Sequence, residues 1–156
     1  MNVQPGYTFS SSADPITYSK LNLGFQPTVT IGSGEIVPSN TSPSGMGYAT
    51  GAGGTVTQVT NKSTGVTINK ACGDITMNNA ALNAGITVSF TMTNSLVAAG
   101  DNMILNHSAT GTFGSYVFNM HGATAGSCVI DVTNRTAGNL SEAIVVRFSL
   151  LKGVTS

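Results

Sequence analysis

Histidine is the side chain that ordinarily exchanges a proton near neutral pH, and this chain has two, His107 and His121. Both stand in strand-like runs, and both fall on the polar phase of their strands if Tyr116, Phe118 and Met120 face inward. General acid–base chemistry needs such a group beside a positioned partner. The carboxylates of the same region, Asp74, Asp101, Asp131 and Glu142, stand singly, with no close pair in sequence of the kind that cleaves glycosidic bonds, although such spacing leaves a pair in space open. No group of His, Cys, Asp and Glu has metal-ligand spacing. The expectation is therefore surface or interface histidines, no metal, no cofactor, and a chain that is not an enzyme.

Cys72 and Cys128 complete the reactive inventory. Neither has a CxxC spacing or a basic neighbourhood that would favour the thiolate. Residues 1–6 carry neither the basic nor the apolar region of a secretory signal, so cytosolic synthesis is expected. That compartment favours free thiols, which inside strands behave as small hydrophobes. One disulfide between Cys72 and Cys128, across two facing sheets, is the alternative. The Gly51-Ala52-Gly53-Gly54 run lacks the Lys-Ser/Thr of a phosphate loop and precedes a strand instead of a helix, which makes it a hinge or turn. The Asn-x-Ser/Thr triplets at Asn40, Asn61, Asn106, Asn134 and Asn139 are what chance gives in a chain so rich in these residues, and they say nothing of glycosylation.

The material around these residues is weakly charged. Only 8% of the 156 residues are charged, six basic against six acidic, while Ser, Thr and Asn make up about a third. A nucleic-acid binder needs clustered Lys and Arg, and none are clustered here. The most apolar stretch, 143–151, is interrupted by Arg147 and too short to span a bilayer. Net charge of zero removes the repulsion that keeps small proteins apart, which points to self-assembly.

What must position the candidates is a set of strands. Ile86, Val88, Phe90 and Met92 alternate with Thr87, Ser89, Thr91 and Thr93. Cys128, Ile130 and Val132 alternate with Val129, Asp131 and Thr133, and Ile144, Val146, Phe148 and Leu150 with Val145, Arg147 and Ser149. A period of two gives one buried and one wet face. Shorter runs at 55–60, 66–69, 74–78 and 102–107, with the run around Tyr116, bring the total to about eight strands, separated by Gly, Asn, Asp and Ser clusters of turn type. The fold class expected is all-β, an antiparallel β-sandwich of jelly-roll or Ig-like kind. Segments 79–84 and 137–142 have room for a single helical turn each.

All five prolines, Pro5, Pro15, Pro27, Pro38 and Pro43, precede residue 44. Proline removes a ladder donor and fixes φ, so it belongs to arms and edges. Two domains follow: an extended N-terminal arm with a Gly-rich hinge over 1–53, and a β-sandwich over 54–156. Four of the ten Phe and Tyr residues, Tyr7, Phe9, Tyr18 and Phe25, precede residue 44 within the arm, where aromatics serve as interface anchors. Val29 and Ile31 need a surface to cover them, either an edge of a neighbouring subunit or host assembly, or an edge of their own body. These six residues are the candidate docking set. With 6% aromatic residues and no tryptophan, a sugar-stacking site would have to rest on Tyr48 or Tyr116.

The run Gly54-Thr55-Val56-Thr57-Gln58-Val59-Thr60-Asn61-Lys62-Ser63-Thr64-Gly65-Val66-Thr67-Ile68-Asn69, the following Cys72-Gly73-Asp74-Ile75-Thr76-Met77, and the closing Ala143-Ile144-Val145-Val146-Arg147-Phe148 resemble β-rich modules of tailed-bacteriophage virion proteins. Such modules occur in head fibres, decoration proteins and tail fibres, commonly as homotrimers. The resemblance covers about the last 100 residues, a domain's worth. It carries no catalytic motif. It implies a structural virion role, with copies of itself and the major capsid protein or another virion protein as partners and a host-surface glycan as a third candidate; neither nucleic acid nor membrane is expected. Between locations, a short chain with an anchor and one body suits a capsid decoration or head fibre. A tail fibre or adhesin module that binds a host-surface receptor or glycan is the alternative.

Overall fold

The computed structural model describes residues 29–31, 34–36, 38–39, 45–48 and 51–153, with side chains from residue 47 onward. Twelve strands are present among them: β1 Val29–Ile31, β2 Gly34–Ile36, β3 Pro38–Ser39, β4 Gly45–Met46, β5 Gly53–Thr57, β6 Val66–Thr67, β7 Cys72–Thr76, β8 Thr87–Thr93, β9 Asn102–Ala109, β10 Tyr116–Thr124, β11 Ser127–Asn134 and β12 Val145–Leu151.

Eight of these build the body as two four-stranded sheets, ordered β10-β11-β8-β6 and β5-β7-β12-β9. Period-two patterning decides which faces meet. Phe90 and Met92 of β8, Cys128, Ile130 and Val132 of β11, and Val146, Phe148 and Leu150 of β12 are all buried, as is Ile144 just before β12. Each such side chain contributes about 1.5–3 kcal/mol by leaving water. The outward phase carries Thr87, Ser89, Thr91, Thr133 and Arg147. The all-β sandwich expected from alternation is the observed fold, and the described residues contain no helix. Segments 79–84 and 137–142 are instead loops joined by a bridge, Leu82 N–H to the Leu140 carbonyl at 2.8 Å and Leu140 N–H to the Leu82 carbonyl at 3.1 Å.

The two sheets are mixed. Four pairings of the body are antiparallel, but β5 runs parallel to β7 and β6 parallel to β8. The reason is the route of the chain. From β5 to β9 every connection crosses to the opposite sheet, so strands two apart in sequence return side by side in the same direction, and β5 to β8 wind as one coil around the core. Only the β10–β11 hairpin stays within a sheet. The coil is tight where Gly54 lies opposite Gly73: a Cβ on Gly73 would run into the Gly54 main chain, so the pair requires glycine there.

The loops at the sandwich ends are tied by buried amides and acids, since a buried polar group must be bonded. Asn134 Nδ2 donates to the Leu82 and Gly138 carbonyls at 3.0 and 2.8 Å, and Asn94 Nδ2 donates to the Lys70 carbonyl at 2.7 Å. At the same end as Asn94, the buried Asp101 carboxylate receives Lys152 Nζ at 2.5 Å, Ala98 N–H at 2.8 Å and Gly153 N–H at 3.0 Å.

In the N-terminal arm, or leader, β1 pairs antiparallel with β2 and β3 with β4. Val29 and Ile31 therefore stand opposite Ile36 and Gly34, in a hairpin of the leader itself. The Gly-rich joint is partly strand: Gly45 and Met46 form β4, and Gly53 and Gly54 open β5. Between them, the Tyr48 hydroxyl donates to the Leu150 carbonyl, which fastens the joint to the body.

Candidate functional site

The densest gathering of polar and aromatic side chains lies at one end of the sandwich, where the β5–β6, β7–β8, β9–β10 and β11–β12 loops meet. Its centre is Glu142. Oε2 receives the Tyr116 hydroxyl at 2.8 Å and the Thr112 N–H at 3.1 Å, while Oε1 receives the Thr112 hydroxyl at 2.7 Å. The hydrogen bonds from Thr112, with help from Tyr116 and the nearby His107, hold the Glu142 carboxyl below the usual range, and it is ionised at neutral pH. Tyr116 is pushed strongly the other way, by burial first and by donating to Glu142 second, and keeps its proton.

His107 sits beside this pair. Its Nε2 donates to the Thr110 carbonyl at 2.5 Å, and its ring meets those of Phe113, Tyr116 and Phe118 at centroid distances of 4.5, 5.7 and 6.3 Å. Nδ1 is buried and has no hydrogen-bond partner. The polar-phase placement expected for His107 is corrected: it shares the inward phase of β9 with Met103 and Leu105, which pack on the core. His121 does lie on the outer face, half exposed, with Nε2 3.3 Å from Asp131 Oδ1.

The loop that shapes the cluster is strained. Thr110 has φ 57°, a left-handed conformation that β-branched residues rarely adopt, and Gly111 follows at φ 70°. The Thr110 hydroxyl offsets part of that cost by donating to the Ala143 carbonyl at 2.5 Å. A Cβ on Gly111 would lie 2.5 Å from Ile144 Cγ2 and 2.9 Å from Glu142 Oε2, so only glycine lets the turn approach the carboxylate.

Beneath the cluster is Lys62, 3% exposed, whose Nζ donates to the Asn78 and Glu142 carbonyls, each at 2.5 Å. Burial lowers its pKa, with Glu142 working in the opposite direction. Gln58 completes the tie, its Nε2 donating to the Lys62 and Thr64 carbonyls at 3.0 and 2.9 Å and its Oε1 receiving Asn78 N–H at 3.2 Å. Sequence reading missed Lys62, because a lysine in an Asn-Lys-Ser-Thr-Gly turn is ordinarily solvated and its acceptors are main-chain groups distant in sequence.

Every carboxylate of the body is engaged. Asp74 takes Arg147 in a two-pronged pair at 2.8 and 2.9 Å, which lowers the Asp74 pKa; Asp101 holds Lys152; Asp131 accepts from Ser89 at 2.6 Å. Among the described residues no three His, Cys, Asp or Glu side chains gather as metal ligands. Both cysteines are free. Cys128 points into the core, while Cys72 shares the outer phase of β7 with Asp74, so the two thiols face away from each other and the disulfide alternative is not realised. Of the docking set, Tyr7, Phe9, Tyr18 and Phe25 fall outside the described residues, and Val29 and Ile31 are placed by backbone alone in β1. Tyr48 and Tyr116 both have their hydroxyls occupied, by Leu150 and Glu142 respectively.

Comparison with protein-family models, with curated proteins and with solved structures gave no match. The chemistry that the arrangement can perform is therefore read from its geometry. An anchored anion, a neutral phenol, a half-buried imidazole and a buried cation are all turned on one another and on main-chain groups, which makes this end a tie between four loops. Among the described residues, Phe113, 64% exposed on its surface, is the large aromatic offered outward there.

Proposed function

We propose that this chain is a structural component of a tailed-bacteriophage virion, a capsid decoration or head fibre protein that docks through residues 1–53 and projects a trimeric β-domain. The observation that carries the structural part of this reading is the occupation of the body's acids: Asp74, Asp101, Asp131 and Glu142 each serve a packing contact, and three of them have depressed pKa values that leave no proton to donate at neutral pH. The body is a spacer tied at both ends, and residues 1–43 differ from it in kind, with all the prolines and four of the ten Phe and Tyr residues. The virion assignment itself draws on the sequence resemblance.

A labelled antibody against the β-domain, applied to virions and viewed by electron microscopy, tests this reading. Label distributed over the head is expected, and label confined to the tail would replace it with the tail fibre alternative. That second reading has one observation in its favour, the exposed ring of Phe113 on a strained loop tip, a position suited to stacking against a host-surface glycan. Binding of the isolated chain to cells or polysaccharide, lost in Phe113→Ala, would support it.

A further inference from the structure

The two sheets end very differently on their two sides. On one side the edges are β5 and β6, five and two residues long, the short form that natural sheets use to blunt an edge. On the other side both edges are long: β9 with eight residues and β10 with nine. They border one seam, since His107 of β9 touches the Tyr116 and Phe118 rings of β10.

Neither long edge is guarded by charge or proline, although each holds one register irregularity, β9 at Ser108 and β10 between His121 and Thr124. The residues Asn102-Met103-Ile104-Leu105-Asn106-His107-Ser108-Ala109 and Tyr116-Val117-Phe118-Asn119-Met120-His121-Gly122-Ala123-Thr124 contain no Lys, Arg, Asp, Glu or Pro, although every inner strand of the second sheet carries a charge. The core also thins along this seam. Inward residues of β8, β11 and β12 next to the sandwich centre are fully buried, whereas Met103, Leu105, Phe118 and Met120 are only partly covered. On the outer face of β9, Ile104 is 50% exposed. An uncharged, proline-free edge flanked by half-covered apolar side chains is complementary to another of the same kind.

We propose that the β9–β10 seam is where copies of this chain meet, β9 of one copy pairing antiparallel with β10 of a second copy around a rotation axis parallel to the strands. This rests on the reading of the chain as a self-assembling module and names its surface. The chain reverses between β9 and β10, so such a rotation sets β9 against an oppositely directed β10 and closes both edges of every copy. Pairing β9 with β9 about a perpendicular two-fold axis would leave both β10 edges open. At about 3.3 Å per residue, eight residues make a seam about 26 Å long and cover the half-buried strip on both sides.

Hydrogen exchange on the full chain, with its mass read by light scattering, tests the proposal without any virion, so its failure and a failure of particle docking are separate results. The expected outcome is an oligomer in which amides of both β9 and β10 are slowed well beyond those of the loops. Met103→Lys and Met120→Lys, and the milder Ile104→Lys on the exposed face, are each expected to lower the mass to that of one chain while the far-ultraviolet circular dichroism is kept. A monomeric parent chain, an oligomer whose β9 and β10 amides exchange freely, or protection of only one of the two strands would overturn it.

Discussion

Lys62 is bound to Glu142 through the main-chain carbonyl and not through the carboxylate: Nζ lies 2.5 Å from the Glu142 oxygen, while the Glu142 side chain turns away to Thr112 and Tyr116. One residue thus anchors two loops, its carbonyl holding the β5–β6 loop and its carboxylate holding the β9–β10 loop. The buried cation reaches a third loop through the Asn78 carbonyl.

Replacing this cation with an apolar side chain of similar length leaves both carbonyls without a donor. Lys62→Met is expected to lose roughly 1–3 kcal/mol of stability at pH 7, the cost of buried groups left unpaired. Burial lowers the Lys62 pKa in the folded state, so the unfolded chain binds more protons between the folded value and the ordinary 10.5. Across that window Lys62 makes stability rise with pH, and Lys62→Met is expected to remove the rise. Urea titrations of parent and variant at several alkaline pH values check this; an identical pH dependence would contradict the buried-cation account.

Acid acts on the opposite groups. Asp74, Asp101 and Glu142 all have folded pKa values below their ordinary 3.8 to 4.5. For Asp74 the Arg147 hydrogen bond is the leading cause; for Asp101, burial opposes the shift and is outweighed by Lys152, Ala98 and Gly153. Their contribution is complete above the unfolded values and is lost as pH falls through the folded ones. Glu142→Gln is expected to be less stable at pH 7 by about 1–3 kcal/mol and to show a shallower loss in acid. Melting temperatures from pH 7 down to pH 2 measure both.

The turn at Thr110 and Gly111 yields a sharper test. Gly111→Ala adds a methyl against Ile144 and Glu142 at a positive φ, with an expected cost of about 2 kcal/mol or more. Gly138→Ala, where nothing stands within 4 Å of the added carbon and φ is not positive, is the matched control and should change stability by less than about 0.5 kcal/mol. Equal effects at the two glycines would refute the close approach.

The thiols should behave differently. Cys128 is 1% exposed and burial pushes its pKa up, whereas Cys72 is half-buried on the outer face of β7. A thiol reagent is expected to modify one cysteine in the native protein and two in denaturant. Two native modifications, or none in denaturant without a reductant, would contradict the free, inward Cys128.

Much of the fold could be read from residue order. Ile144, Val146, Phe148 and Leu150 declare an inward row because alternation records burial directly, and the same holds for β8 and β11. Partner choice is another matter. Alternation in β5 and β7 does not say that they lie side by side and parallel, because that depends on how the chain crosses between sheets, which turn residues do not encode. The face of His107 is not legible from the phase of β10, because β9 follows its own inward row, Met103 and Leu105. The site was legible only in pieces: Glu142 and Tyr116 are 26 residues apart, and the acceptors of Lys62 are main-chain oxygens that any residue supplies.

The central claim is that this chain is an anchored spacer whose leader does the docking and whose body folds independently. The direct measurement is binding of the chain lacking residues 1–43 to particles stripped of the full protein, beside its circular dichroism and melting. The account predicts a folded body with near-parental melting that no longer binds. A truncated body that decorates the particles as well as the full chain would contradict it.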